Sequence, residues 1–253
     1  MGVVHTPGAN YGWRARIGLL QPGIVSDTNP YEFYMMAPEG VQMVQTSLGI
    51  ASLSEANYAR AIAGLEAPVQ RLLPRKPDVL IQTGIPPLVH SGWGVEEELR
   101  QRVAKLTSIP YVTDAAGSIA AMKAVGIGHV VVVSAFVDPL PGLITTYLGH
   151  AGIEAVAHAN AREGSDLEAG QLSLETVYDT AKGVHEAHPE ADGIWITQAS
   201  MPSVGVIADL ERDCGVPVIS TAQALMWAGL RLVGIEDRIM GFGRLFDVRE
   251  FAR

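Results

Sequence analysis

The chain has 253 residues, 48% of them hydrophobic and 18% charged, which is long enough for a sizeable core and too apolar for a disordered chain. A formal charge of -9 argues against nucleic acid or an anionic membrane surface as the main partner. The one cysteine, Cys214, excludes a disulfide scaffold and a multi-cysteine zinc site, and no apolar run reaches the roughly 18 residues of a membrane span.

The first residues carry no charged-then-apolar signal pattern, and Gly2 and Thr6 match only the loose myristoylation pattern. A cytoplasmic globule is expected. Strands are expected, in chain order, at RIGLLQPG (16–23), VQMVQTSLGI (41–50), DVLIQTG (78–84), IPYVTDA (109–115) and HVVVVSAF (129–136). They continue at GIWITQAS (193–200), VPVISTA (216–222) and RIMGFG (238–243). Runs that are apolar throughout suit a sheet covered on both faces. Helices are expected between them, at residues 54–73, 95–106, 118–125, 141–151, 173–188, 203–214 and 222–233. Ser54 is placed to cap the first of these, and VEEELRQRVAKL puts its acids first and its bases last, as the helix dipole favours. Strands alternating with helices predict an α/β fold with mainly parallel sheets.

The chain repeats itself. PDVLIQTG (77–84) parallels ADGIWITQ (191–198), and IPYVTDAAGSIAAMKAVGIGHVVVV (109–133) parallels VPVISTAQALMWAGLRLVGIEDRIMGFG (216–243). This order predicts two pseudo-symmetric Rossmann-like (flavodoxin-like) halves. The first is residues 1–115 with about 222–253 packing back on it, and the second is 116–221. Ligands of open α/β sheets sit outside the strand C-termini, so a site is expected in the cleft between the halves.

From about Arg16 to Phe246 these blocks resemble the Asp/Glu racemase superfamily, in its maleate cis-trans isomerase and arylmalonate decarboxylase branch. The resemblance is strongest in RIGLLQP, in HVVVVSAFVDPLPGLITTYLGHAGIE and in IWITQASMPSVGVIADLERDCGVPVISTAQALMWAGLRL. It implies an enzyme without a cofactor, a small carboxylate bound between the halves, and a homo-oligomer. Racemases of this kind use a cysteine in each half, the isomerases one cysteine as nucleophile, and the decarboxylase only the second. Here the first motif position falls at Thr83-Gly84 and the second at Thr197-Gln198-Ala199, with no cysteine at either. The family's oxyanion tyrosine falls at Phe136, and the isomerases' asparagine near Val25. Thr83 matches the decarboxylase hydroxyl donor, while Cys214 is expected at the end of the fold away from the cleft.

An amide does not titrate near neutrality, so Gln198 can hold a carboxylate or oxyanion and cannot replace a thiol. The expected catalytic residues are Thr83, Gln198 and Asp114. Gly84, Ser134, Phe136, Thr197, Ala199 and Gln21 are expected to bind substrate. Asp114 has two readings, a general base in the cleft or the cap of the helix after it. His90 reads as a proton shuttle or a surface histidine, and Glu32 as a further proton-transfer group. Tyr31 and Tyr34 read as a lid or as interface packing, with Trp93 and Met201 similarly open. His185 and His188 share a helix face but have no further ligands nearby, so no metal is expected. Asp237 and Asp247 are expected as surface charges. The function expected is a cofactor-independent isomerase or decarboxylase acting on a small carboxylic acid, with the usual cysteine chemistry replaced. The alternative is a non-catalytic carboxylate-binding protein on the same scaffold.

Overall fold

A computed structural model of the chain describes residues 10–161 and 166–251, and Gly2 and Thr6 fall outside them. Strands β1 (Ala15–Gly23), β2 (Val41–Ile50), β3 (Val79–Gln82) and β4 (Tyr111–Thr113) form a parallel sheet in the order β2-β1-β3-β4. Strands β5 (His129–Ser134), β6 (Glu154–Asn160), β7 (Gly193–Ile196) and β8 (Val218–Ser220) form a second, in the matching order β6-β5-β7-β8. The α/β fold of two similar halves is thus as expected. Its core runs through the central strands, where Val130 to Val133 and Val79 to Leu80 are fully buried. Each such side chain stabilises the fold by about 1.5–3 kcal/mol relative to exposure.

The halves share their hydrogen bonding at both ends of the sheets. At the N-terminal end Asp78 N donates to Arg16 O at 2.8 Å, and Asp192 N donates to His129 O at 2.8 Å. At the C-terminal end Thr83 N reaches Leu20 O at 2.9 Å, and Thr197 N reaches Val133 O at 2.8 Å.

Two helices join the halves across their middle. Helix α6 (Asp114–Ala124) follows β4 and lies against α10 (Thr221–Leu232), which follows β8. They approach closely because small residues meet there: a Cβ at Gly117 would stand 3.8 Å from Ala228. Helix α10 then crosses to the first sheet, where Gly229 faces Ile17 and Ile81. Helix α1 (Thr28–Met36), from the first half, reaches the loop after β7, and α7 (Leu140–His150), from the second, reaches α4 (Ile85–Ser91).

Several expected elements are corrected. RIMGFG is no strand: Gly241 and Gly243 take φ of +88° and +73°, and Phe242 O accepts from Gln223 Nε2 instead of a neighbouring strand. A strand there would begin a third repeat, and the described residues form no third sheet for it to join. The sequence reading missed β6, an edge strand whose EAVAHAN sequence is alanine-rich and only half-buried. It also expected no helix at α1 or at α4. The helix expected over 54–73 is two, α2 (Glu55–Ala63) and α3 (Glu66–Leu72), parted at Gly64. Asp237 is not a lone surface charge, because both its oxygens clamp Arg14, at 2.6 and 2.7 Å. Asp247 is an exposed surface charge, as expected, and is paired with Arg238.

Candidate active site

The repeat offset places Gly84 and Gln198 at matching positions, each one residue past the threonine that closes the third strand of its half. The backbone agrees: φ is +121° at Gly84 and +120° at Gln198. Glycine takes this conformation freely, whereas a side chain is strained in it by about 1–3 kcal/mol. Space separates the two positions as well. A Cβ at Gly84 would stand 3.1 Å from the Pro22 Cβ, so the first loop has no room to give.

In the first half the Gly84 N–H donates to Asp114 Oδ2 at 2.6 Å. Asp114 is the first residue of α6 and is only 1% exposed. It is not the cap: Thr113 Oγ1 accepts from Ala116 N at 3.2 Å and does that work. Asp114 Oδ1 has no hydrogen-bond partner. Burial raises the Asp114 carboxyl to about 8; the Gly84 N–H opposes the rise and the Glu96 charge adds to it. At neutral pH Asp114 is therefore largely a neutral acid, able to give up a proton near working pH.

In the second half Gln198 is also buried, and its amide is fixed at both ends. Oε1 accepts from Ala135 N at 3.0 Å, and Nε2 donates to Ser200 Oγ at 3.2 Å. The second N–H of that amide remains a donor. Thr221, the counterpart of Asp114, donates to Thr197 Oγ1 at 3.4 Å. Ser134 Oγ accepts from Phe136 N at 3.2 Å and lies 2.7 Å from His158 Nε2. Burial lowers His158 to about 4, which keeps that ring neutral. Phe136 is buried, and its carbonyl accepts from Asn160 Nδ2 at 3.0 Å. Ala199 is half-buried in the turn after Gln198.

The structure thus brings Gly84 and Asp114 together, and likewise Gln198, Ala135 and Ser200. Thr83 lines a cavity of about 20 Å³ with Leu19, Asn29, Phe33, Leu225 and Met226, and its Oγ1 has no partner. That volume holds one water-sized group. Gln21, at the end of β1, is buried with its Oε1 also unpartnered.

Glu32 is not a free proton-transfer group. Only 3% exposed, it clasps the halves together: Oε1 accepts from Ser203 N at 2.5 Å and Val204 N at 2.9 Å, and Oε2 accepts from Ser203 Oγ at 3.1 Å. Burial raises its carboxyl above the ordinary range. Tyr31, 71% exposed, and Tyr34 face outward from α1, and Tyr34 Oη accepts from Met43 N on the edge strand β2. Met201 is core. His90 packs edge-on to Tyr58, and Trp93 stacks on His150. Cys214 ends α9 (Ile207–Cys214), which leads into the start of β8 and lies away from the strand C-termini. Among the described residues no group of three or more His, Cys, Asp or Glu side chains is arranged to hold a metal ion. No described helix is long and apolar enough to cross a membrane.

The sequence reading passed over Glu96. It opens α5 (Val95–Ala104) beside the exposed Glu97 and Glu98, yet it shares a face with the buried Leu99 and Val103 three and seven residues on. That spacing was the available signal. Glu96 Oε2 accepts from Thr113 Oγ1 at 2.5 Å, and Oε1 accepts from Tyr147 Oη at 3.3 Å across the junction of the halves.

Comparison with known proteins agrees with this architecture. Arylmalonate decarboxylase of Bordetella bronchiseptica is 23% identical over 205 residues, covering 81% of this chain and 85% of the relative. A crystal structure of arylmalonate decarboxylase superposes with a TM-score of 0.82 at 22% identity, over 92% of this chain and 99% of that one. A mutant of the maleate isomerase Iso from Pseudomonas putida S16, solved with maleate, gives 0.84 at 22% identity, over 94% and 99%. These relatives are enzymes, and this chain is an enzyme of the same isomerase and decarboxylase kind; the alternative of a non-catalytic binding protein is not favoured. Residues 17–246 match the family model of arylmalonate decarboxylase, and the chain belongs to that family.

Proposed function

We propose that this protein is a cofactor-independent enzyme that decarboxylates a small carboxylic acid of the malonate type, with a carboxyl group as proton donor in place of a thiol. The observation that carries the reading is Asp114, buried on the Gly84 N–H with a free Oδ1 and a carboxyl raised to about 8. A reaction that needs one proton on one face matches one titrating group in the first half and one fixed amide in the second. Two-base racemisation needs a second titrating group, and the second half holds Thr221 where the first has Asp114, with Gln198 where the first has Gly84.

On this reading the substrate lies between a first half, residues 1–115 with 222–253 packed back on it, and a second half of 116–221. The C–C bond to the departing carboxylate breaks, its electron pair stays on carbon, and carbon dioxide leaves. The resulting enediolate oxygen takes the spare N–H of Gln198, a donor whose direction is already set by Ala135 and Ser200. Asp114 Oδ1–H then protonates the carbon and becomes a carboxylate, which regains its proton from solvent. Thr83, Ser134, Thr197, Ala199, Gln21 and Phe136 shape the walls in this scheme, and Phe136 offers an apolar surface in place of a hydroxyl.

The test is proton NMR of the purified protein in heavy water with alkyl- and arylmalonates, maleate, aspartate and hydantoins. The expected result is loss of a malonate signal with one deuterium delivered to the product α-carbon. Isomerised maleate in its place would transfer the reading to the isomerases, and exchange of the α-proton of aspartate to the racemases. No change in any malonate overturns the decarboxylase reading.

A further inference from the structure

Asp114 is not the only carboxyl group at the junction of the halves. Glu96 reaches the same place from α5, and the two are held very differently. Both Glu96 oxygens receive hydroxyl donors, Thr113 Oγ1 on one and Tyr147 Oη on the other. Burial raises the Glu96 carboxyl, and these bonds oppose that rise by favouring the ionised form. Asp114 receives a close donor on Oδ2 alone, and Oδ1 has none. Two neighbouring carboxyls with unequal donors divide the proton unequally, and the one with fewer donors keeps it.

We propose that Glu96 is a positioning residue for the proton donor: the fixed anion of an acidic pair, whose charge keeps the proton on Asp114 and whose grip on Thr113 orients the start of α6. Thr113 is the hinge of this arrangement. Its hydroxyl donates to Glu96 and accepts the Ala116 N–H, so the cap that starts α6 and the tether to α5 are one atom. Asp114 is the next residue, and any shift of the cap moves it. Tyr147 brings the second half into the pair. Its ring is buried edge-on to Trp93, with centroids 5.1 Å apart, so the Glu96 bond also records that the halves are seated together. The titratable groups that act on this pair are Glu96 from α5, Tyr111 from β4 and Tyr147 from α7, and burial raises both tyrosines so that they stay neutral. The Gly84 N–H works against the Glu96 charge.

The inference rests on the reading of Asp114 as acid, but it is tested without turnover. Carbon-13 NMR of the side-chain carboxyls, with Asp114→Asn to assign the signal, follows the Asp114 titration in free enzyme. Glu96→Gln keeps the shape and removes the charge, so the Asp114 midpoint moves to lower pH and the alkaline limb of the rate profile, where the donor loses its proton, moves with it. Tyr147→Phe removes one donor from Glu96, lets its charge spend part of its time as the neutral acid, and produces a smaller shift in the same direction. That second variant deletes a single hydroxyl and keeps the test available should Glu96→Gln fold poorly. An Asp114 midpoint unmoved in both variants overturns the proposal. Loss of the acid reading gives a different signature: Asp114→Asn retains turnover while the carboxyl midpoints still shift.

Discussion

The two strand-end loops have the same backbone and opposite contents. Gly84 and Gln198 share φ near +120°, and each follows a threonine whose N–H closes onto the first strand of its half. At Gly84 there is no side chain, Pro22 blocks the space, and the loop N–H is taken by a carboxyl from the next helix. At Gln198 the loop supplies its own polar group, anchored on the N–H of Ala135, and the position matching Asp114 holds Thr221. The fold carries one geometry twice, and on the proposed reading the residues at 84, 114, 198 and 221 divide the labour. The first half holds a proton that can leave, and the second a dipole that cannot.

Asp114→Asn should break this division most severely. Asparagine still accepts the Gly84 N–H, so the fold survives while the transferable proton is lost. Removing a general acid typically costs about 10²–10⁴-fold in rate. The expected outcome is a kcat loss in that range with little change in KM, measured on whichever malonate the NMR panel identifies. Retained kcat would make the two loops equivalent in function after all.

The second prediction concerns pH. In the folded chain Asp114 sits at about 8, against 3.8 ordinarily. Between those values the folded state holds a proton that the unfolded state has released, so stability falls as pH rises from about 4 to about 8. Glu32 and Glu96, also raised, add to the same trend. A fall of about 2–8 °C in Tm across the window, the equivalent of about 1–2 kcal/mol, is expected. Asp114→Asn should flatten the slope, and a Thr221 variant should leave it unchanged. A flat wild-type profile would remove the buried acid from the comparison.

How much of this was legible beforehand depends on the range of the interaction. The repeat, seven of the eight described strands and the pairing of Thr83-Gly84 with Thr197-Gln198 follow from apolar runs and spacing, which are local. Strand β6 was lost because alanines on a half-buried edge carry no strand signal, and α1 was lost because, although Asp27 caps it, half of its buried stripe of Asn29, Glu32, Phe33 and Met36 is polar. Asp114 could be named, yet its choice of Gly84 over the α6 cap lies 30 residues away in sequence. The Glu32 clasp spans 171 residues. Contacts of that length leave no trace in any window of sequence.

The third prediction separates strain from hydrogen bonding at the matched positions. Gln198→Ala leaves the Ala135 N–H without its acceptor and keeps a side chain at φ +120°, at a cost of about 1–3 kcal/mol. Gln198→Gly loses the same acceptor but relaxes the backbone, recovering about 1–2 kcal/mol. Gly84→Ala runs the other way, because it adds both strain and the Pro22 contact. Thermal unfolding should rank glycine above alanine at both positions. Equal Tm values for the two Gln198 variants would mean that the backbone there is not strained, and the loops would then match only in outline.

The smallest effect lies at the opposite ends of the same strands, where the halves should behave alike. Asp78 Oδ2 accepts from Arg16 N at 2.7 Å, and Asp192 Oδ1 accepts from Gly128 N at 2.9 Å and His129 N at 3.0 Å. Each carboxylate ties the start of its first strand to the start of its third, and neither is near the strand C-termini. Asp78→Ala and Asp192→Ala should each cost about 0.5–1.5 kcal/mol, with Asp192 at the upper end because it holds two amides. Turnover should be unaffected in both. A change in kcat from either would show that the two ends of the sheets are coupled. Without one, evolution was free to diversify the C-terminal loops because the N-terminal ties hold the strands in register regardless of what the loops carry.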